Sequence, residues 1–106
     1  MSEAVIAGTD PEGLGEALVE QGVSVRRAAG TAARDDLQDA AIVDADLFVL
    51  TDVGLATAIP LARELNPDVR VVAYTPDSLP EFVGGQEVVA MDPALLGPEA
   101  VAEELS

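Results

Sequence analysis

Cysteine, histidine, lysine and tryptophan are all missing from this chain of 106 residues. Without cysteine there are no disulfides, no thiolate metal sites and no thiol nucleophile. Without histidine the usual general base, the Ser-His-Asp triad and the commonest metal ligand are gone. Without lysine no phosphate-binding loop of the Gly-x-x-x-x-Gly-Lys type can be written. Positive charge is scarce as well: five arginines face twenty Asp and Glu, for a formal net charge of -15. That balance repels nucleic acid and anionic membrane surfaces, so neither is expected as a partner. No apolar run approaches the ~20 residues of a membrane span, and the first residues lack a charged-then-apolar signal. A cytoplasmic location is expected.

What is present is apolar residue in quantity, 49% of the chain, enough for one core and one domain over residues 1–106. Acidic chains of this charge are disordered when they lack apolar patterning, but here the patterning runs from end to end. A halophilic, salt-rich cytoplasm accounts for the charge, and the chain separately resembles a set of small haloarchaeal proteins. At about 1 M salt the Debye length falls to about 3 Å, and surface carboxylates no longer repel beyond their neighbours.

The segment from Asp44 to Tyr74 organises the rest. Leu47-Phe48-Val49-Leu50 is an unbroken apolar run, and Val69 to Ala73 is another, interrupted by Arg70. Such runs suit strands covered on both faces, as in a parallel sheet. Between them Ala58, Leu61, Ala62 and Leu65 give one apolar helix face, so the unit reads as a right-handed βαβ crossover. Pro60 is tolerable only near the first turn, which places the helix start near Ala56 or Thr57. Upstream, Ala4–Ala7 reads as a strand entering a Gly8–Gly15 turn, followed by a helix that Gly22 ends. Val23 to Arg27 reads as an edge strand and about Ala33 to Ala41 as a short helix. Downstream, Ser78 to Val83 reads as a brief helix broken by Gly84-Gly85, Glu87 to Met91 as a fifth strand and Pro98 to Leu105 as a terminal helix. The fold class is α/β: a Rossmann- or flavodoxin-like three-layer sandwich with a five-stranded parallel sheet in the order 2-1-3-4-5.

Several stretches carry a resemblance: Gly30-Thr31-Ala32-Ala33, Ala40-Ala41-Ile42-Val43-Asp44-Ala45-Asp46, Thr51-Asp52, Arg63-Glu64-Leu65-Asn66-Pro67-Asp68-Val69, and Asp92-Pro93. Together they resemble the N-terminal nucleotide-binding domain of regulators of potassium conductance and uptake, the RCK or Trk-type domain. The resemblance implies a Rossmann-like fold and NAD or ATP as ligand at the first turn. The departures fall on that site. The second glycine of G-x-G-x-x-G is Asp10, between Gly8 and Gly13, which sets a carboxylate where pyrophosphate would lie. Arg27, Ala28 and Ala29 stand where the ribose-binding acid belongs, and a segment of about 20 residues on the adenosine side is missing. The chain reads as a shortened relative with a degraded dinucleotide site.

Ligands of open α/β sheets bind where strand order reverses, outside the carboxyl ends of the strands. The expected site residues are Gly8, Thr9, Asp10, Gly13, Thr51 and Asp52, with Gly54 and Thr75 close by. They suit a small anionic ligand or nucleotide, yet the same residues also serve a tight turn, a helix cap and loop amides. Asp10 and Asp52 at the sheet's carboxyl edge also suggest Mg²⁺, as in phosphoacceptor receiver domains, although the lysine of that family has no counterpart. Arg26 and Arg27 either meet a ribose phosphate or pair with local carboxylates on the sheet edge. The sequence therefore points to a non-catalytic ligand-binding or regulatory module, partnered with itself as a homodimer or with another protein, whose cofactor it does not name. The alternatives are a functional NAD or ATP sensor and a Mg²⁺-dependent phosphoacceptor using Asp10 and Asp52.

Overall fold

The computed structural model describes residues 2–81 and 87–106. Short apolar runs become five strands: β1 (Glu3–Ala7), β2 (Ser24–Ala28), β3 (Leu47–Leu50), β4 (Arg70–Tyr74) and β5 (Val88–Met91). All neighbours pair parallel, in the order β2-β1-β3-β4-β5. Parallel pairing demands crossovers: α1 (Leu14–Glu20) joins β1 to β2, α2 (Arg34–Asp39) lies between β2 and β3, and α3 (Ala58–Leu65) between β3 and β4, while α4 (Pro98–Leu105) follows β5.

Register explains why β3 is apolar throughout. Val5, Phe48 and Val71 align across three strands, as do Ile6, Val49 and Val72 one residue further on. Because successive side chains point to opposite faces, the first row packs beneath α2 and α3, with Leu37 and Ile59. The second row packs beneath α1 and α4, with Leu14, Leu18, Val101 and Leu105. All six aligned side chains are buried, as the doubly covered centre of a three-layer sandwich requires. The outer strands differ: β2 is mostly exposed and β5 half-exposed.

Element boundaries follow local chemistry. α3 begins at Ala58, one or two residues later than expected, because Val53–Leu55 winds as a separate 3₁₀ turn. Pro60 then falls in the first turn of α3, where its missing N–H costs nothing. α2 is shorter than the expected 33–41, since Ala41 takes a left-handed conformation that stops it. Ahead of α2, the Asp36 carboxylate accepts the Ala33 amide at 3.0 Å. The helix expected from Ser78 does not form over Ser78, Leu79 and Pro80, which are irregular. Thr75 Oγ1 accepts the Asp77 amide and holds a turn just before them. Phe82, Val83 and the Gly84-Gly85 break lie outside the described residues.

Candidate functional site

The chain leaves β1 for β2 on one side and reaches β3 on the other, so strand order reverses between β1 and β3. The carboxyl ends of β1, β3 and β4 converge there with the start of the loop after β5. A cavity of about 130 Å³ lies among them, lined by Asp10, Pro11, Glu12, Thr51, Tyr74, Pro76 and Pro93. Sites for drug-sized ligands run to roughly 300–1,000 Å³, so this space takes a small group and not a dinucleotide.

Asp10 is the centre of the first turn. Its carboxylate accepts the amide of Leu14 at 3.0 Å through Oδ1 and that of Gly15 at 2.7 Å through Oδ2. Those are the first amides of α1, the donors that a pyrophosphate would use. Arg27 Nη2 lies 3.3 Å from Asp10 Oδ2; the Asp10 side chain is only 5% exposed, and that of Arg27 50%. The contact arises because β2 lies beside β1 with Ile6 opposite Arg27, bringing the arginine to the mouth of the turn. A buried carboxylate thus holds two amides and a guanidinium.

Gly8 and Thr51 close the floor of the reversal point. Gly8 has φ +105°, and a Cβ built there would lie 2.6 Å from Thr51 Oγ1 and 3.1 Å from the backbone N of Asp52. Thr51 Oγ1 donates toward the carbonyls of Ala7, at 3.2 Å, and of Thr9. Thr51 was expected to satisfy loop amides; its partners are carbonyls, and it ties the β1 loop to β3. Thr9 takes part only through this carbonyl, and Gly13 heads α1 with φ +74°.

Asp52 does not join Asp10. Its carboxylate accepts the Gly54 amide at 2.8 Å in a local turn and lines no part of the cavity. Thr75 is buried and engaged with Asp77. Among the described residues no group of three or more carboxylates converges as a metal cluster.

Five lining residues were not among the expected site residues: Pro11, Glu12, Tyr74, Pro76 and Pro93. Their signal was position alone, at the carboxyl edge of the sheet. Tyr74 is buried at the end of β4, and its hydroxyl donates to the Leu96 carbonyl at 2.7 Å. Its pKa is raised, first by burial, then by Glu12, Asp10, Glu99 and Asp92. Negative charge therefore surrounds the cavity.

The fold is shared with solved structures of low sequence identity. A candidate pilus assembly protein (cpaE) from Burkholderia thailandensis superposes with TM-score 0.67 at 19% identity, over 99% of this chain and 95% of that one. A candidate pilus assembly-related protein from Burkholderia pseudomallei gives 0.65 at 20% identity, over 99% and 87%. A fragment of a candidate lipoprotein from Peptoclostridium difficile gives 0.57 at 9% identity, over 99% and 96%. At such identities the likeness is one of fold. No curated protein matches the sequence. Residues 4–105 match a family of unknown function, DUF7126, and the chain belongs to that family.

Proposed function

We propose that the chain is a non-catalytic ligand-binding or regulatory module, descended from an RCK-type domain, whose dinucleotide site is closed by its own side chains. One observation carries the reading: the Asp10 carboxylate holds the Leu14 and Gly15 amides with Arg27 beside it. An incoming phosphate would have to displace a satisfied carboxylate, or sit against it unpaired. Each charge-assisted hydrogen bond forgone costs about 1.5–3 kcal/mol, and two of them turn micromolar affinity into millimolar or none. The small cavity beyond Asp10 suits a small group entering between prolines. The module works in a salt-rich cytoplasm, where its acidic surface is screened.

The test is titration of NAD, NADH, ATP and AMP in about 2 M KCl, chosen to screen the surface, while the amide resonances of Gly8–Gly15 are followed. No saturable shift is expected. Saturation at micromolar nucleotide would restore the sensor reading. The phosphoacceptor alternative finds less support, since Asp52 is spent on its own turn, Thr75 on Asp77, and lysine is absent. Incubation with Mg²⁺ and acetyl phosphate should leave the intact mass unchanged.

A further inference from the structure

The two edges of the sheet are built differently. β2 carries Arg26 and Arg27, and charge on an edge strand discourages pairing with another sheet. β5 is Val88-Val89-Ala90-Met91, uncharged in a chain of which 24% is charged. No strand among the described residues pairs with its outer side. Val89 is 43% exposed, and Leu95, in the turn that follows, 82%. Such an edge is a template for strand addition.

We propose that β5 pairs with β5 of a second copy of this chain, antiparallel about a two-fold axis through Ala90, so that two five-stranded sheets continue as one. A two-fold contact requires a surface complementary to itself, and a cation at one end of β5, Arg63, with a carboxylate at the other, Asp92, has that property. Its amino end is bordered by a groove of about 580 Å³ in which Arg63 and Arg70 stand beside Asp68 and Glu87, together with Val88 and Val89. Its carboxyl end is followed by Asp92. Antiparallel pairing brings Arg63 of each copy, which lies over the start of β5, toward Asp92 of the other.

The pleat makes the match specific. Val88 packs on the α3 side of the sheet and Met91 on the α4 side, so even-numbered positions, continued to 92, face α3. With the axis at Ala90, Val89 faces the second copy's Met91, and Val88 faces its Asp92. That carboxylate then arrives on the side from which Arg63 reaches over the start of β5 to the Glu87 carbonyl. Arg63 Nε is buried with no hydrogen-bond partner among the described residues, so this guanidinium is under-bonded within one copy. Symmetry makes the contact twice.

Sedimentation equilibrium of the full chain at about 100 µM in about 2 M KCl should give a two-chain mass. Amide exchange across Val88–Met91 should slow as protein concentration rises. Ala90→Lys, which sets two ammonium groups across the axis, should be monomeric with an unchanged circular dichroism spectrum. Arg63→Glu and Asp92→Arg should each weaken association about tenfold or more, and the double variant should recover it. A one-chain mass for the natural sequence overturns the proposal, as does a folded Ala90→Lys chain that remains dimeric. Should Ala90→Lys fail to fold, the exchange measurement and the charge-swap cycle decide. A dimer whose β5 amides stay unprotected, or whose double swap shows no recovery, overturns it equally.

Discussion

At the scale of single residues, the first turn separates two costs that are usually measured together. Gly8 and Gly13 both have positive φ, but a methyl at Gly8 meets Thr51 and Asp52, whereas at Gly13 nothing lies within 4 Å. Gly13→Ala should therefore cost about 1 kcal/mol, the penalty of left-handed backbone alone. Gly8→Ala adds the collision with the backbone of Asp52, which cannot rotate away, and should cost roughly 2–4 kcal/mol in all. Urea denaturation of the two variants reads the difference directly. Equal losses would mean that the β1 and β3 loops do not approach as closely as the geometry requires. Asp10 belongs to the same scale. Its carboxylate accepts the Leu14 and Gly15 amides and so caps the start of α1.

At the scale of elements, Tyr74 links the end of β4 to the turn before α4 through its bond to the Leu96 carbonyl. Its raised pKa fixes the sign of an alkaline effect. In the unfolded chain it ionises near its ordinary value of about 10; in the folded chain it ionises later. Between the two, the unfolded form holds fewer protons, so stability is constant below that value and falls as pH rises above it. With one tyrosine and no cysteine, histidine or lysine, no other side chain titrates in that window, arginine ionising higher still. Tyr74→Phe should lose roughly 0.5–1.5 kcal/mol at neutral pH and flatten the alkaline limb seen in urea midpoints between about pH 9 and 11. An alkaline limb that persists in the variant would place its origin elsewhere.

The strands themselves were legible in the sequence because burial on both faces leaves no room for polar residues, as in Leu47–Leu50, and the edge character of β2 showed in Arg26 and Arg27. The role of Asp10 was legible in outline, since an aspartate just ahead of a helix caps its first amides. The identity of its third partner was not. Arg27 lies 17 residues away and meets Asp10 only because β2 returns beside β1, a contact set by topology and a rotamer together. The separation of Asp52 from Asp10 was equally hidden, because a short turn through Gly54 captured its carboxylate first. The cavity wall Pro76 carries no pattern of its own, only a place just past a strand, and Pro93 showed in the sequence only as part of Asp92-Pro93, with nothing to mark it as a wall.

At the scale of the whole molecule, charge is the dominant feature. The chain has a radius of gyration of 12.2 Å and a net charge of -15. Among the described residues the ion pairs are Arg27 with Asp10 and Arg34 with Glu64, so most carboxylates face solvent without a cation. In about 0.01 M salt the Debye length is about 30 Å, matching the 29 Å extent of the molecule, and every carboxylate feels every other. At about 0.15 M it is about 8 Å, and at about 1 M about 3 Å, which leaves only nearest neighbours in repulsion. Folding gathers these charges from an expanded chain, so stability should rise with KCl. Urea is the denaturant to use, because guanidinium is itself a screening salt. If screening is the cause, most of the rise in urea midpoint comes below about 0.3 M, where the Debye length shrinks fastest against the size of the molecule. If the gain instead comes from strengthened apolar burial, it continues in proportion to salt through the molar range and is larger in sulfate than in chloride. A midpoint that stays fixed from about 0.01 M to about 1 M KCl would remove both accounts and leave the acidic composition without a role in stability.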